Sequence, residues 1–199
     1  MSPIKPFKKP IYITRPVLAD ISKVYKKIND IWNSKWLTNM GAQHKALELK
    51  LLKYLKVKYL TLFCNGTIAL ELAIEALNLT GEVITTPFTF PATINSLYRR
   101  GITPIFCDIK KNDFNIDENK IKDMITPKTS GILPVHVFGN PCEVEIIEKI
   151  AMEYNLKVIY DAAHCFGVKY KNVGIGNFGD ISMFSFHATK IFHTLEGGA

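Results

Sequence analysis

The sequence predicts an α/β fold of three layers, a mostly parallel sheet with helices on both faces. Three observations lead there. From about Tyr59 onward, short apolar runs alternate with longer helical patterns, the order expected of a sheet crossed by helices. The runs are nearly continuous rather than alternately polar, as in strands buried on both faces. Finally, 199 residues with 47% apolar and 22% charged side chains suffice for a substantial core and exclude a disordered chain.

The elements follow in order. Asp20 can cap a helix whose apolar residues Ile21, Val24, Tyr25, Ile28, Ile31 and Trp32 keep the 3-4 spacing. After a turn at Thr38–Gly41, a second helix is expected over about Gln43–Leu55, with Leu47, Leu51 and Tyr54 facing inward. Strands are expected at Tyr59–Cys64, Val83–Thr86, Thr103–Asp108, Gly131–Val137 and Lys157–Asp161. Helices are expected at Thr67–Leu77, through Asn95–Tyr98, at Asp117–Ile125 and at Glu143–Tyr154. Toward the end, Cys165–Lys169 and Ile181–Phe186 read as two further strands with no helix between them.

Composition narrows the function. The net charge of +7 is almost all lysine, with arginine only at Arg15, Arg99 and Arg100. Nucleic-acid recognition favours the bidentate arginine fork, so lysines such as Lys23, Lys26, Lys27, Lys50 and Lys53 read as solvated helix faces, not a nucleic-acid surface. No apolar run approaches the roughly 20 residues of a membrane span, and the Lys/Pro-rich start lacks the apolar region of a signal peptide. A cytoplasmic protein is expected. Cys64, Cys107, Cys142 and Cys165 lie far apart and are expected to be reduced thiols, buried or nearly so.

Ligands of such sheets sit beyond the carboxyl ends of the strands, and the unusual residues are there. Cys64-Asn65-Gly66-Thr67 joins a strand to a helix. Thr67 can cap that helix, whose free N–H groups would suit a phosphate; an ordinary capped turn is the alternative. Asp161-Ala-Ala-His164 places a carboxylate at the end of an apolar strand, where a buried charge needs a partner. It is a cap, an ion-pair member or the holder of a proton on a heterocyclic nitrogen. Ser182-Met-Phe-Ser-Phe-His-Ala-Thr-Lys190 ends a strand in one lysine, followed by Glu196-Gly197-Gly198. A surface lysine is a poor nucleophile, whereas a partly desolvated one can bond an aldehyde.

Two patterns are set aside. Gly174-Ile-Gly-Asn-Phe-Gly179 fits a dinucleotide fingerprint, but a strand-like segment follows it where a helix is needed. His187 and His193 flank Lys190 without further ligands at metal spacing, so no metal site is expected.

Taken together and in this order, Trp36-Leu-Thr-Asn39, Cys64-Asn-Gly-Thr67, Thr85-Thr-Pro-Phe-Thr-Phe90, Pro134-Val-His-Val-Phe-Gly139, Tyr160-Asp-Ala-Ala-His164 and Phe184-Ser-Phe-His-Ala-Thr-Lys190 resemble the DegT/StrS-type sugar-nucleotide aminotransferases, a branch of the fold-type I pyridoxal-phosphate enzymes. The resemblance runs from about Ile11 to the last residue. It implies the large domain of the aspartate-aminotransferase-like fold and pyridoxal 5'-phosphate as cofactor. It further implies amino transfer, with glutamate the expected donor, to a nucleotide-linked keto-6-deoxy sugar. Lys190 would form the Schiff base and shuttle the proton; Asp161 would keep the pyridine nitrogen protonated. Phe90 would stack on the ring, and Gly66, Thr67 and Ser185 would hold the phosphate. His164 stands where relatives often carry glutamine near the ring hydroxyl, a packed histidine being the alternative. By analogy, Thr38 and Asn39 would face the substrate. Relatives with histidine at the position of Lys190 remove a hydroxyl group; the lysine here favours transamination.

The resemblance also implies a longer protein, a homodimer with a smaller C-terminal domain. Residues 1–15 are expected to form an N-terminal extension and 16–199 an incomplete cofactor-binding large domain. Such a truncated chain is expected to expose apolar surface and sheet edges, to bind the cofactor weakly and to turn over poorly. A catalytically inactive remnant is the alternative function.

Overall fold

Three helices come before the first strand. Asp20 accepts the Ser22 N–H at 2.9 Å and so caps α1 (Ile21–Ser34); α2 (Ala42–Leu55) follows. The structure is a computed structural model that describes residues 7–199, so the first part of the expected 1–15 extension lies outside the described residues. Next come α3 (Gly66–Ala76), β1 (Glu82–Thr85), α4 (Pro91–Arg99), β2 (Thr103–Phe106), β3 (Thr129–Ile132), α5 (Val144–Tyr154), β4 (Lys157–Asp161), β5 (Lys169–Tyr170), β6 (Val173–Gly174) and β7 (Ile181–Met183).

Five strands form one sheet in the order β2-β1-β3-β4-β7, every pair parallel. Side chains alternate between its faces, and the alternation defines the layers. Ile84, Ile132, Val158, Tyr160 and Phe184 point to one side, into a core completed by Leu51 and Leu55 of α2 and Val144, Ile147 and Ile150 of α5. Their neighbours Val83, Leu133, Ile159 and Met183 point to the other, against Ala69, Leu70, Ala73 and Ile74 of α3 and Leu97 of α4. This is the three-layer arrangement that the continuous apolar runs predict. The glycine-rich segment at 174–179 passes through a short 3-10 turn into β7, not into a helix.

Several expected elements differ. The segment 117–125 makes two 3-10 turns, Glu118–Lys120 and Lys122–Met124, because the Asp117 carboxylate engages the Asn119 N–H at 3.2 Å and diverts the backbone from a helical ladder. Strand β3 ends at Ile132, five residues short of Val137, after which only Val135 still bridges to Asp161. Cys165–Val168 is a turn; only Lys169–Tyr170 is extended, in a hairpin with Val173–Gly174. Strand β7 stops at Met183, and beyond it Phe184 and Phe186 bond antiparallel to Ala199 and Gly197. The expected strand 59–64 is reduced to one bridge, Phe63 to Gly198. A cleft of about 700 Å³ separates Tyr59–Thr61 from Ile181–Phe184, so the two backbones do not meet.

Burial differs as well. Leu51 is buried, but Tyr54 is largely exposed and meets the protein by stacking on Phe166, centroids 5.1 Å apart. Cys64 is exposed, whereas the other three free thiols are buried. The apolar stripe of α1 is uncovered: Ile21, Tyr25, Ile28 and Trp32 are all exposed. No described helix is long and apolar enough to cross a membrane.

Candidate active site

Strands β4 and β7 are neighbours, and the segments that leave their carboxyl ends carry the two residues of greatest chemical interest. Asp161, the last residue of β4, is 5% exposed. Its Oδ2 accepts the Thr93 hydroxyl at 2.7 Å and its Oδ1 accepts the Ala163 N–H at 3.1 Å. Burial raises its pKa; these two hydrogen bonds and the charges of His164 and Lys190 act in the opposite direction. No cation lies within ion-pairing distance of it among the described residues. A buried carboxylate so placed lacks a cationic partner.

Lys190 lies in the turn after β7, its N–H donating to the His187 carbonyl at 2.9 Å. It is half-buried, and burial lowers its pKa while the Asp161 charge raises it. The two groups therefore share one electrostatic environment. His164 belongs to it too: packing and the nearby Lys190 charge hold its imidazole below the usual value, against Asp161. Its ring is exposed to solvent and lies nearly parallel to Phe138, 13° between planes and 6.3 Å between centroids, so it is not a packed core histidine.

The anion-binding end of α3 is built differently from expectation. Asn65, not Thr67, is the cap, its side chain accepting the Ile68 N–H at 2.9 Å. Thr67 is thereby a residue of the first turn, and the N–H groups of Gly66 and Thr67 have no acceptor within the helix. Ser185 flanks them: a β-carbon at position 66 would stand 3.1 Å from the Ser185 Cβ and 3.1 Å from the Met183 sulfur. A larger residue there would have to shift Met183 and Ser185 by a few tenths of an ångström. Gly198 closes the third side, bridged to both Phe63 and Ser185.

Phe90 precedes α4 and leaves its ring 72% exposed. Thus Asp161, His164, Lys190, Ser185 and Phe90 sit at strand ends or on the segments that leave them, while Gly66 and Thr67 open α3 just after the bridge at Phe63. Thr38 and Asn39 are elsewhere, exposed in the α1–α2 turn, where the Asn39 carbonyl accepts the Trp36 indole N–H at 3.0 Å; no hydrogen bond of theirs reaches the strand ends. Sequence reasoning missed Thr93, the strongest neutral partner of Asp161. Its one signal is a polar residue on the buried side of a short helix.

The chain matches the model of the DegT/DnrJ/EryC1/StrS aminotransferase family over residues 19–199. It belongs to that family. Among curated members it is 50% identical over 192 residues to the dTDP-4-amino-4,6-dideoxy-D-glucose transaminase of Shigella dysenteriae, covering 96% of this chain and 52% of that protein. Among solved structures it superimposes with a TM-score of 0.92 on DesI, crystallised in the presence of its TDP-sugar product, at 36% identity, over 96% of this chain and 49% of that one. It also superimposes on NtdA from Bacillus subtilis with bound cofactor PMP, at a TM-score of 0.84 and 32% identity, over 89% of this chain and 40% of that one. The curated relatives it matches include sugar transaminases, and the chain spans about half the length of those relatives.

Proposed function

We propose that the protein uses pyridoxal 5'-phosphate to transfer an amino group, with glutamate as donor, to a nucleotide-linked keto-6-deoxy sugar. The observation that carries this reading is a buried, cation-less carboxylate, Asp161, sharing its field with the half-buried Lys190, together with a helix end whose free N–H groups are flanked by Ser185. That donor set fits the cofactor group by group. The free N–H groups of Gly66 and Thr67, with the hydroxyls of Thr67 and Ser185, are suited to its phosphate. Asp161 is suited to the ring nitrogen, where a carboxylate holds a proton in place. The exposed face of Phe90 is suited to the ring, and His164 to its edge.

When bound, the cofactor supplies an electron sink next to the amino-bearing carbon. Lys190 would have two duties: its Nζ would hold the cofactor, and, when that amine is free, it would take and return the substrate proton. Burial serves both by favouring the neutral amine. Thr38 and Asn39 face the substrate in this reading. A homodimer of the full-length protein in the cytoplasm belongs to the same proposal. The names of the relatives support a sugar nucleotide as acceptor.

The test is an absorption titration of the purified chain with pyridoxal phosphate, followed by borohydride reduction and peptide mapping. A single reduced adduct on Lys190, absent from Lys190→Ala, is expected. Labelling spread over surface lysines and unchanged in Lys190→Ala would refute it. In a protein so loaded, the amino form of the nucleotide sugar should bleach the visible band and an unlinked amino sugar should not.

A further inference from the structure

Thr93 joins the two groups that would touch the cofactor ring. Its backbone N–H donates to the Phe90 carbonyl at 3.1 Å, and its hydroxyl donates to Asp161 Oδ2 at 2.7 Å. The Thr89 hydroxyl lies 2.7 Å from the Thr93 hydroxyl oxygen. An ionised carboxylate has no proton to give, so Thr93 must donate to Asp161, and its oxygen is left to accept from Thr89. The hydrogen bonds therefore run one way, from Thr89 through Thr93 to Asp161. Thr93 is fully buried, so no bulk water can replace its hydroxyl. It sits in the first turn of α4, just after Pro91, and that rigid start fixes its position relative to Phe90.

We propose that Thr93 is a positioning residue, fixing the orientation in which Asp161 meets the ring nitrogen and bracing the loop that presents the Phe90 ring. This rests on the assignment of Asp161 to that nitrogen. One residue thereby ties the contact at the ring's edge, through its hydroxyl, to the contact at its face, through its backbone N–H. The other charged or titratable groups acting on Asp161, His164 and Lys190, approach from its own turn and from the segment after β7, leaving Thr93 as the anchor from the α4 side.

Thr93→Val keeps the branched shape and removes the hydroxyl; Thr93→Ser restores it. Two readouts separate positioning from folding: the Asp161 carboxyl titration followed by 13C NMR without cofactor, and the 15N shift of the ring nitrogen of bound pyridoxal phosphate. Thr93→Val should raise the carboxyl midpoint and move the 15N shift toward that of an unprotonated ring, with cofactor binding weakened about 10–100-fold, the range for losing a hydrogen bond to a charged group. Thr93→Ser should recover both readouts. Asp161→Asn tests the underlying assignment, since it should move the 15N shift to that of an unprotonated ring. If Asp161→Asn leaves the shift unchanged, the assignment falls and the proposal with it. If Asp161→Asn moves the shift while Thr93→Val matches the wild type in both readouts, the role of Thr93 alone is overturned. Should Thr93→Val not fold, Thr89→Val decides: a smaller change in the same direction supports the chain of hydrogen bonds, and none overturns it.

Discussion

Gly198 packs directly on the Asn65–Gly66 peptide: a β-carbon at position 198 would stand 2.6 Å from the Asn65 carbonyl carbon and 2.7 Å from the Gly66 nitrogen. Those are backbone atoms, unable to swing aside as a side-chain end could. Gly198→Ala must therefore push the start of α3 away from the end of β7. The expected cost is about 1–3 kcal/mol of stability, as for other overpacked sites, together with weaker pyridoxal phosphate binding. Urea unfolding and a cofactor titration of the same variant would measure both.

Neighbouring residues 65 and 67 should have opposite phenotypes. Asn65→Ala removes the α3 cap and is expected to cost about 1 kcal/mol of stability. Thr67→Val removes no cap, so its stability should stay within about 0.5 kcal/mol of wild type, while its affinity for pyridoxal phosphate falls. Equal destabilisation by the two would return the capping role to Thr67.

Thiol chemistry should single out Cys64. Burial pushes the Cys107 thiol up to about 11 and that of Cys165 to about 12, and it raises Cys142 as well, leaving few reactive thiolates among the three. Cys64 is exposed. One fast-reacting thiol per chain is expected with a chromogenic disulfide at neutral pH, lost in Cys64→Ser, and the other three should appear only on unfolding.

His136 should make stability pH-dependent. Its ring is fully buried, stacks on Tyr160 at 4.5 Å and accepts the Cys142 N–H through Nδ1 at 3.0 Å. Burial lowers its pKa from 6.5 to about 3. The folded state therefore holds the ring neutral in a range where the unfolded chain takes up a proton. Its contribution is complete above pH 6.5 and is lost as the pH falls toward 3, with a slope of about 1.4 kcal/mol per pH unit between those limits. The difference between the wild type and His136→Gln, in urea melts across that range, should show this slope; parallel curves would refute it.

Much of this architecture is legible in the sequence because local pattern and global packing agree. Strand β4 falls at Lys157–Asp161 as expected, its apolar residues buried between helices, and β1 and β2 lie within two residues of their expected ends. The chemistry at the strand ends is legible for a related reason: a carboxylate or lysine that closes an apolar run stands out. Illegible features depend on remote partners. Tyr59–Cys64 looks like a strand, but whether it pairs depends on residues near position 198. Thr93 looks like an ordinary helix residue because its partner, Asp161, is 68 positions away. The cap at Asn65 was overlooked because Thr67 is an equally good capping type, and only the backbone decides between them.

Asp161 is also tied down through its main chain. Its N–H donates to the Pro134 carbonyl at 2.9 Å, its carbonyl accepts the His136 N–H at 3.0 Å, and the next residue, Ala162, donates to Met183 at 2.8 Å. The residue is thus anchored by both neighbouring chain segments at once, between the ends of β3 and β7. Displacing it would require local opening of the most protected part of the molecule, so the Asp161 and Ala162 amides should exchange with deuterium only as fast as the whole fold opens. The ordering entropy of this group is met during folding and need not be met again at binding.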